Sequence, residues 1–246
     1  MAELLLSRRT AILGAGLALS GLTLREARAA ALQFNPVSIA MEPSQSAAEL
    51  QVTNTGTESA RLQVRGFRWS QQGNDDKLDP TPDLIVSPPQ FVVAAGQTQT
   101  VRILSRDTAQ QNERTFRVLL DEIPNPHANT VAFAMRVSLP IVQAAATTGA
   151  PVLNWSMERQ ADGQAVLIVR NSGTRMVRFV KIDPLLGKRT LTVQMQSPSP
   201  YALPGGERRW LIRDGNHPLA AGGEPIHLAV ETQQMPRIET TLAIPR

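Results

Sequence analysis

Between Asn129 and Val142 the chain reads N-T-V-A-F-A-M-R-V-S-L-P-I-V, with Val131, Phe133, Met135, Val137 and Leu139 alternating with Ala132, Ala134, Arg136 and Ser138. Period two marks a strand with unlike faces, and here one face is apolar throughout. Pro140 withholds a ladder N–H near the end of the run, which suits a sheet edge or a bulge. A long apolar edge is a hazard that proteins usually blunt with charge or cover. The stretch therefore leaves two readings open: a paired core strand of a sandwich, or an edge meant for another chain.

The same short alternation recurs from Leu32 onward, broken by Pro, Gly, Asn and Ser, which is the pattern of β-sandwiches. Ala48, Leu50 and Val52 share a face ahead of the turn signal Asn54-Thr55-Gly56. Leu62 and Val64 share another, but the apolar parity shifts past Gly66 to Phe67 and Trp69, which predicts a bulge. The polar run Gln71 to Pro82 reads as a loop, and Ser87-Pro88-Pro89 forces extended backbone before Phe91 to Val93. Ala95-Gly96 turns the chain into Thr98 to Leu104. Phe116, Val118 and Leu120 make a further strand face, and Ile123-Pro124-Asn125-Pro126 leads stiffly into the stretch described first.

Residues 144–150 are small and uncharged and read as a linker, dividing the chain into an N-terminal domain of residues 30–143 and a C-terminal one of residues 151–246. The second domain carries strand patterns at Val152 to Met157, Ala165 to Arg170, Met176 to Lys181, Glu207 to Ile212, Ile226 to Glu231 and Ile238 to Ile244. No long 3.6-residue period survives after the first 29 residues, and no internal repeat stands out beyond the two similar halves. The expected fold is all-β, two immunoglobulin-like sandwiches.

Composition narrows the function. With 42% hydrophobic and 19% charged residues the 246-residue chain is globular, with material for about two domains. Ser7-Arg8-Arg9-Thr10, an apolar run from Ala11 to Leu24 and then Ala27-Arg28-Ala29 make residues 1–29 an expected export signal, of either the general secretory or the twin-arginine type. The run is shorter than the ~20 residues a bilayer requires, so a membrane anchor is not expected. Four of the arginines lie in that leader, and no Lys/Arg run remains to neutralise phosphates, so nucleic acid is not an expected partner. The absence of cysteine excludes disulfides and thiolate chemistry.

Candidate chemistry is sparse. His127, His217 and His227 are scattered without metal-ligand spacing, and Asp75, Asp76 and Asp79 read as solvated loop carboxylates lacking the Gly and Glu of a calcium loop. There is no nucleophile elbow, phosphate-binding loop or dinucleotide fingerprint, so neither an enzyme nor a cofactor is expected.

With the strands laid out, Ser87-Pro88-Pro89, Ala95-Gly96, Val101-Arg102-Ile103 and Phe116 through Asp121-Glu122-Ile123-Pro124, in that order, resemble the PapD-like periplasmic chaperones of the chaperone-usher pathway. The resemblance implies two domains in a boomerang, in which the last strand of the first lends alternate apolar side chains to an incomplete pilus subunit, a form of β-augmentation. It also implies delivery of that subunit to an outer-membrane usher. By that resemblance Val131, Phe133 and Met135 fill the subunit's groove, continued by Val137, and Arg102, Glu113 and Asp214 fix the angle between domains. Many relatives grip the subunit's C-terminal carboxylate with an Arg and a Lys. Here Ser38 and Ser138 stand at those places, which leaves Arg136, on the same strand face as Ser138, to supply the charge. Competing readings are a structural or adhesive protein of a surface fibre and a periplasmic copper-binding protein. Whether the free protein caps its own edge by self-association is left open.

Overall fold

A computed structural model of the protein describes residues 31–106, 112–124 and 134–246. Residues 1–30, which include the expected export signal, and His127, Val131 and Phe133 lie outside the described residues. The first domain contains β1 (Leu32–Asn35), β2 (Ile39–Met41), β3 (Ala47–Asn54), β4 (Ala60–Gln72), β5 (Asp75–Pro80), β6 (Leu84–Ser87), β7 (Gln90–Val93), β8 (Thr98–Ser105), β9 (Arg114–Glu122) and β10 (Arg136–Gln143). The second contains β11 (Leu153–Arg159), β12 (Ala165–Asn171), β13 (Val177–Leu186), β14 (Arg189–Thr190), β15 (Thr192–Met195), β16 (Tyr201–Ala202), β17 (Glu207–Asp214), β18 (His217–Pro218), β19 (Ile226–Thr232) and β20 (Ile238–Leu242).

Each domain is a sandwich of two sheets. In the first, a sheet ordered β1-β3-β8-β6 faces one ordered β2-β10-β9-β4-β5, with β7 paired to β4. Alternation supplies the core: Leu50 and Val52 from β3 and Val101 and Ile103 from β8 meet Leu62, Val64, Phe116, Val118, Leu120 and Ile141 of the facing sheet. The second domain packs β11-β12-β17-β15 on β14-β13-β19-β20 around Leu167, Val169, Phe179, Trp210, Leu228 and Val230. Trp155, Phe179 and Trp210 meet there ring to ring, with centroids 5.2 to 6.0 Å apart. The all-β, two-sandwich expectation is met.

The halves also share a motif that the linear pattern hides. Buried Asn54 donates through Nδ2 to the carbonyls of Glu58 and Val93, and accepts from the Gly56 N–H. Buried Asn171 repeats this with Arg175, Ala202 and Gly173. Asn171 also accepts from the Val152 N–H at 3.2 Å, and in each domain one Asn-x-Gly corner thus satisfies several backbone groups that the sandwich would otherwise bury unpaired.

Two expectations change. β4 pairs with β9 in unbroken register from Leu62 opposite Glu122 to Arg68 opposite Phe116, so the parity shift at Gly66 is not a bulge. Instead the strand changes the face it buries. Leu62 and Val64 point into the first core, whereas Trp69 joins Met176 and Leu203 in a small apolar cluster between the domains, with Val142 and Tyr201 packed against it. Gly66 is where the switch occurs, and a Cβ there would lie 3.0 Å from a Leu84 methyl. The run Gln71 to Pro82 is likewise not a loop: β4 turns at Gly73 (φ +57°) and returns as β5, Gln71 opposite Asp76 and Phe67 opposite Pro80.

Candidate functional site: an open strand edge beside a cleft

β10 is held along its whole length by β9, from Arg136 opposite Asp121 to Gln143 opposite Arg114. On its other side β2 runs parallel to it only at Ile141 to Gln143, opposite Ile39 to Met41. Among the described residues, Arg136 to Pro140 therefore have a partner strand on one side alone. Pro140 closes this open stretch, immediately before the β2 pairing begins, as its missing N–H allows.

The apolar face of the strand outlasts the domain's own core. Ile141 and Leu139 are 0% and 5% exposed, but Val137 and Met135 are only partly buried as the strand is followed back. Val131 and Phe133 continue the same sequence parity, outside the described residues. The pairing persists at least to Met135, whose carbonyl accepts from the Glu122 N–H at 2.9 Å.

On the opposite face of the same sheet, Arg136 is already engaged. Its Nε donates to Asp121, which also accepts from Arg65 at 2.6 Å. Burial works against the Asp121 charge, but the hydrogen bonds and charges of Arg136 and Arg65 outweigh it and hold the carboxyl below its usual range. The cation expected to meet a ligand is thus tied to its own domain. Ser38 is exposed just ahead of β2, and Ser138 is exposed on the open stretch of β10.

A different cation lies next to Ser138. Arg117 stands on β9 between buried Phe116 and Val118 and so projects to the outer face. Its guanidinium lies 3.8 Å from the Trp69 ring centroid and 5.3 Å from that of Tyr201, and its Nη1 donates to the Ser138 carbonyl at 3.5 Å. Burial lowers its pKa from the ordinary arginine value and nearby Asp76 raises it, so the group remains a cation. Arg117 and Ser138 line a cleft of about 310 Å³ with Asp76 and Leu78 from the first domain and Pro198–Tyr201 from the second. The sequence signal was an Arg at an outward position between the apolar Phe116 and Val118, visible only if that face was known to meet a second domain.

The ion network of Arg102, Glu113 and Asp214 is not assembled. Arg102 alternates with buried Val101 and Ile103 on β8, so it faces outward from its sheet, and it meets Glu49 of the same domain at 3.7 Å. Asp214 pairs with Arg189 inside the second domain. Glu113 does reach across: its carboxylate accepts the Met176 N–H at 3.3 Å and its own N–H donates to the Thr174 carbonyl at 3.3 Å. Burial raises its pKa to about 7, against the lowering effects of that hydrogen bond and of Arg175. Among the described residues the ion pair across the seam is instead Arg208 with Asp76, so Asp76 is no solvated loop carboxylate. No cluster of His, Asp and Glu fit to hold a metal occurs among the described residues.

Comparison with known proteins follows this geometry. Residues 31–144 match the family model of the pili and flagellar-assembly chaperone, PapD N-terminal domain. No curated protein matches the chain in sequence. Among solved structures, a chain of the CsuC–CsuE chaperone–tip adhesion subunit pre-assembly complex from archaic Csu pili of Acinetobacter baumannii is 23% identical. It aligns over 87% of this chain and 98% of its own, with a TM-score of 0.66. The YadV chaperone is 15% identical over 87% and 99%, with a TM-score of 0.60. A chain of the Salmonella enterica SafA pilin–SafB chaperone complex is 16% identical over 87% and 98%, with a TM-score of 0.59. Residues 31–144 of this chain, which carry β10, thus match the PapD N-terminal domain of pili and flagellar-assembly chaperones, and the chain as a whole has the fold of these solved chaperone structures.

Proposed function

We propose that this protein is a periplasmic chaperone that binds pilus subunits through the Asn129–Val142 strand and passes them to an outer-membrane usher, without catalysis. The observation that carries the reading is the apolar face of β10, which continues past its buried core positions beside an edge that, among the described residues, has no partner strand. A subunit lacking a strand exposes an apolar groove and unpaired backbone groups, an aggregation hazard that a lent strand removes on both counts. Val131, Phe133 and Met135 fill the groove, each worth roughly 1.5 to 3 kcal/mol if fully buried. The Arg117 guanidinium in the cleft beside Ser138 receives the subunit's C-terminal carboxylate, which takes the place of the missing charges at Ser38 and Ser138. Two of the structural relatives were solved as complexes with a tip adhesion subunit and with a pilin, which supports this class of partner.

The test is co-expression with small secreted β-rich proteins encoded nearby, followed by affinity capture. Wild-type chain is expected to retain a subunit that Phe133→Glu, still folded by circular dichroism, does not. Equal retention by the folded variant would contradict the reading.

A further inference from the structure

The β4–β5 hairpin is the outer edge of its sheet, and its side chains are mostly polar, yet its tip is pinned to the second domain. Arg208, on β17, has a side chain only 2% exposed. It donates to the Tyr201 carbonyl of its own domain at 2.5 Å, to the Asn74 carbonyl at the hairpin turn at 2.5 Å, and to the Asp76 carboxylate. Next to it, the Arg209 N–H donates to the Asn74 side chain at 3.0 Å. The Gln71 amide completes the joint, donating to the Tyr201 carbonyl at 2.8 Å and accepting from the Leu203 N–H at 3.0 Å. Gly206 explains how the two surfaces approach so closely. A Cβ there would lie 2.0 Å from the Gln71 amide oxygen, while the backbone itself has no need of a left-handed conformation.

A buried ion pair of this kind adds little net stability, because desolvation offsets attraction; what it supplies is geometry. The geometry here leads into the cleft. Tyr201, whose carbonyl is held by both Gln71 and Arg208, lays its ring edge against Trp69 at 5.3 Å and packs near Arg117. Asp76, held by Arg208, lines the same cleft as Arg117 and acts on it as an opposing charge.

We propose that the β4–β5 hairpin is a clamp fixing the two domains at the angle the cleft requires, with Arg208 as its positioning residue, acting on subunit recognition through Tyr201 and Arg117. The part that concerns recognition rests on the function proposed above; the part that concerns the domain angle does not.

The chain has no cysteine, so Gln90→Cys and Lys188→Cys, both at exposed positions of different domains, accept a pair of spin labels cleanly. Electron–electron distance measurements on the full chain without its leader are expected to give one narrow distribution for the parent and a broadened one for Arg208→Met and for Gly206→Val. Asn74→Ala, which removes a single contact, carries the same test should the others fail to fold. With the subunit that co-purifies, Arg208→Met is expected to weaken binding about tenfold when the subunit ends in its native carboxylate, equivalent to about 1.4 kcal/mol. Binding of a subunit carrying a short C-terminal extension is expected to stay unchanged, an outcome that general unfolding would not produce. An unbroadened distribution in folded Arg208→Met and Gly206→Val overturns the clamp. Equal losses for both forms of the subunit overturn the link to Arg117. If the parent binds no subunit at all, the proposed function falls while the distances still judge the clamp.

Discussion

Arg117 stands between an indole and a phenol ring, mostly withdrawn from water, with its guanidinium hydrogen-bonded to a strand carbonyl and Asp76 nearby. A cation so placed is already desolvated and oriented, so an incoming carboxylate gains a charge-assisted hydrogen bond with little further ordering. Arg117→Ala is expected to weaken binding of a subunit with a free C-terminal carboxylate by about 1.5 to 3 kcal/mol, read by calorimetric titration. Arg136→Ala is expected to lose less, because Arg136 is engaged by Asp121. The reverse order would return the anchoring role to Arg136. Glu113 offers a separate test. Its pKa is about 7 in the folded chain against an ordinary 4.5, so the native state binds this proton more tightly than the unfolded chain. Stability from this group is therefore lost as pH rises between those values. Asp121, held below its ordinary 3.8, acts in the opposite sense only in more acid solution. The denaturation midpoint is expected to fall from pH 5 to pH 8 more steeply in the parent than in Glu113→Gln, and identical profiles would contradict the assignment. The resemblance set serines, Ser38 and Ser138, where charge was expected, but the replacement proposed here was not legible, since nothing local distinguishes Arg117 from any outward-facing strand arginine.

At the scale of the strand, β10 divides along its length. Its far end, Leu139 and Ile141, belongs to the core of the first sandwich; Val137 packs partly buried at the rim of that core, and Met135, also only partly buried, lies beyond it. On the proposed function one alternating face serves both folding and subunit binding, and substitutions along it are expected to separate the two. Ile141→Ala is expected to cost about 2–5 kcal/mol of folding stability in urea denaturation, the range for emptying a buried site. Phe133→Glu is expected to leave the urea midpoint almost unchanged while abolishing capture of the subunit. A large loss of stability in Phe133→Glu would place that residue in the folding core instead. The period-two pattern of β10 was readable because burial and alternation agree. On β4 they do not: the apolar parity passes from Leu62 and Val64 to Trp69 because the strand serves one core and then an interdomain cluster, and local pattern alone suggested a bulge. The hairpin that follows was hidden for a related reason, because Asp75, Asp76 and Lys77 read as loop residues although they lie on a strand, and the partner that buries Asp76, Arg208, is more than a hundred positions away.

For the molecule as a whole, the two sandwiches were legible in spacing and turn residues, and their fold agrees with that of the structural relatives. The joint between them was not. A network expected from resemblance at Arg102, Glu113 and Asp214 gives way to one in which Glu113 alone crosses the seam, and Arg208, Asp76 and Gln71 make the closest polar contacts. Pairings of this kind depend on which sheet face meets the other domain, a long-range fact that no periodicity encodes. The central claim is that the edge of β10 and the residues leading into it become paired when a subunit binds. Hydrogen exchange over Asn129 to Leu139, followed by mass spectrometry with and without the captured subunit, tests this directly. The account predicts strong slowing of exchange across that stretch, with little change on β19 and β20. Unchanged exchange there in a stable complex, with protection elsewhere on the chain, would contradict it.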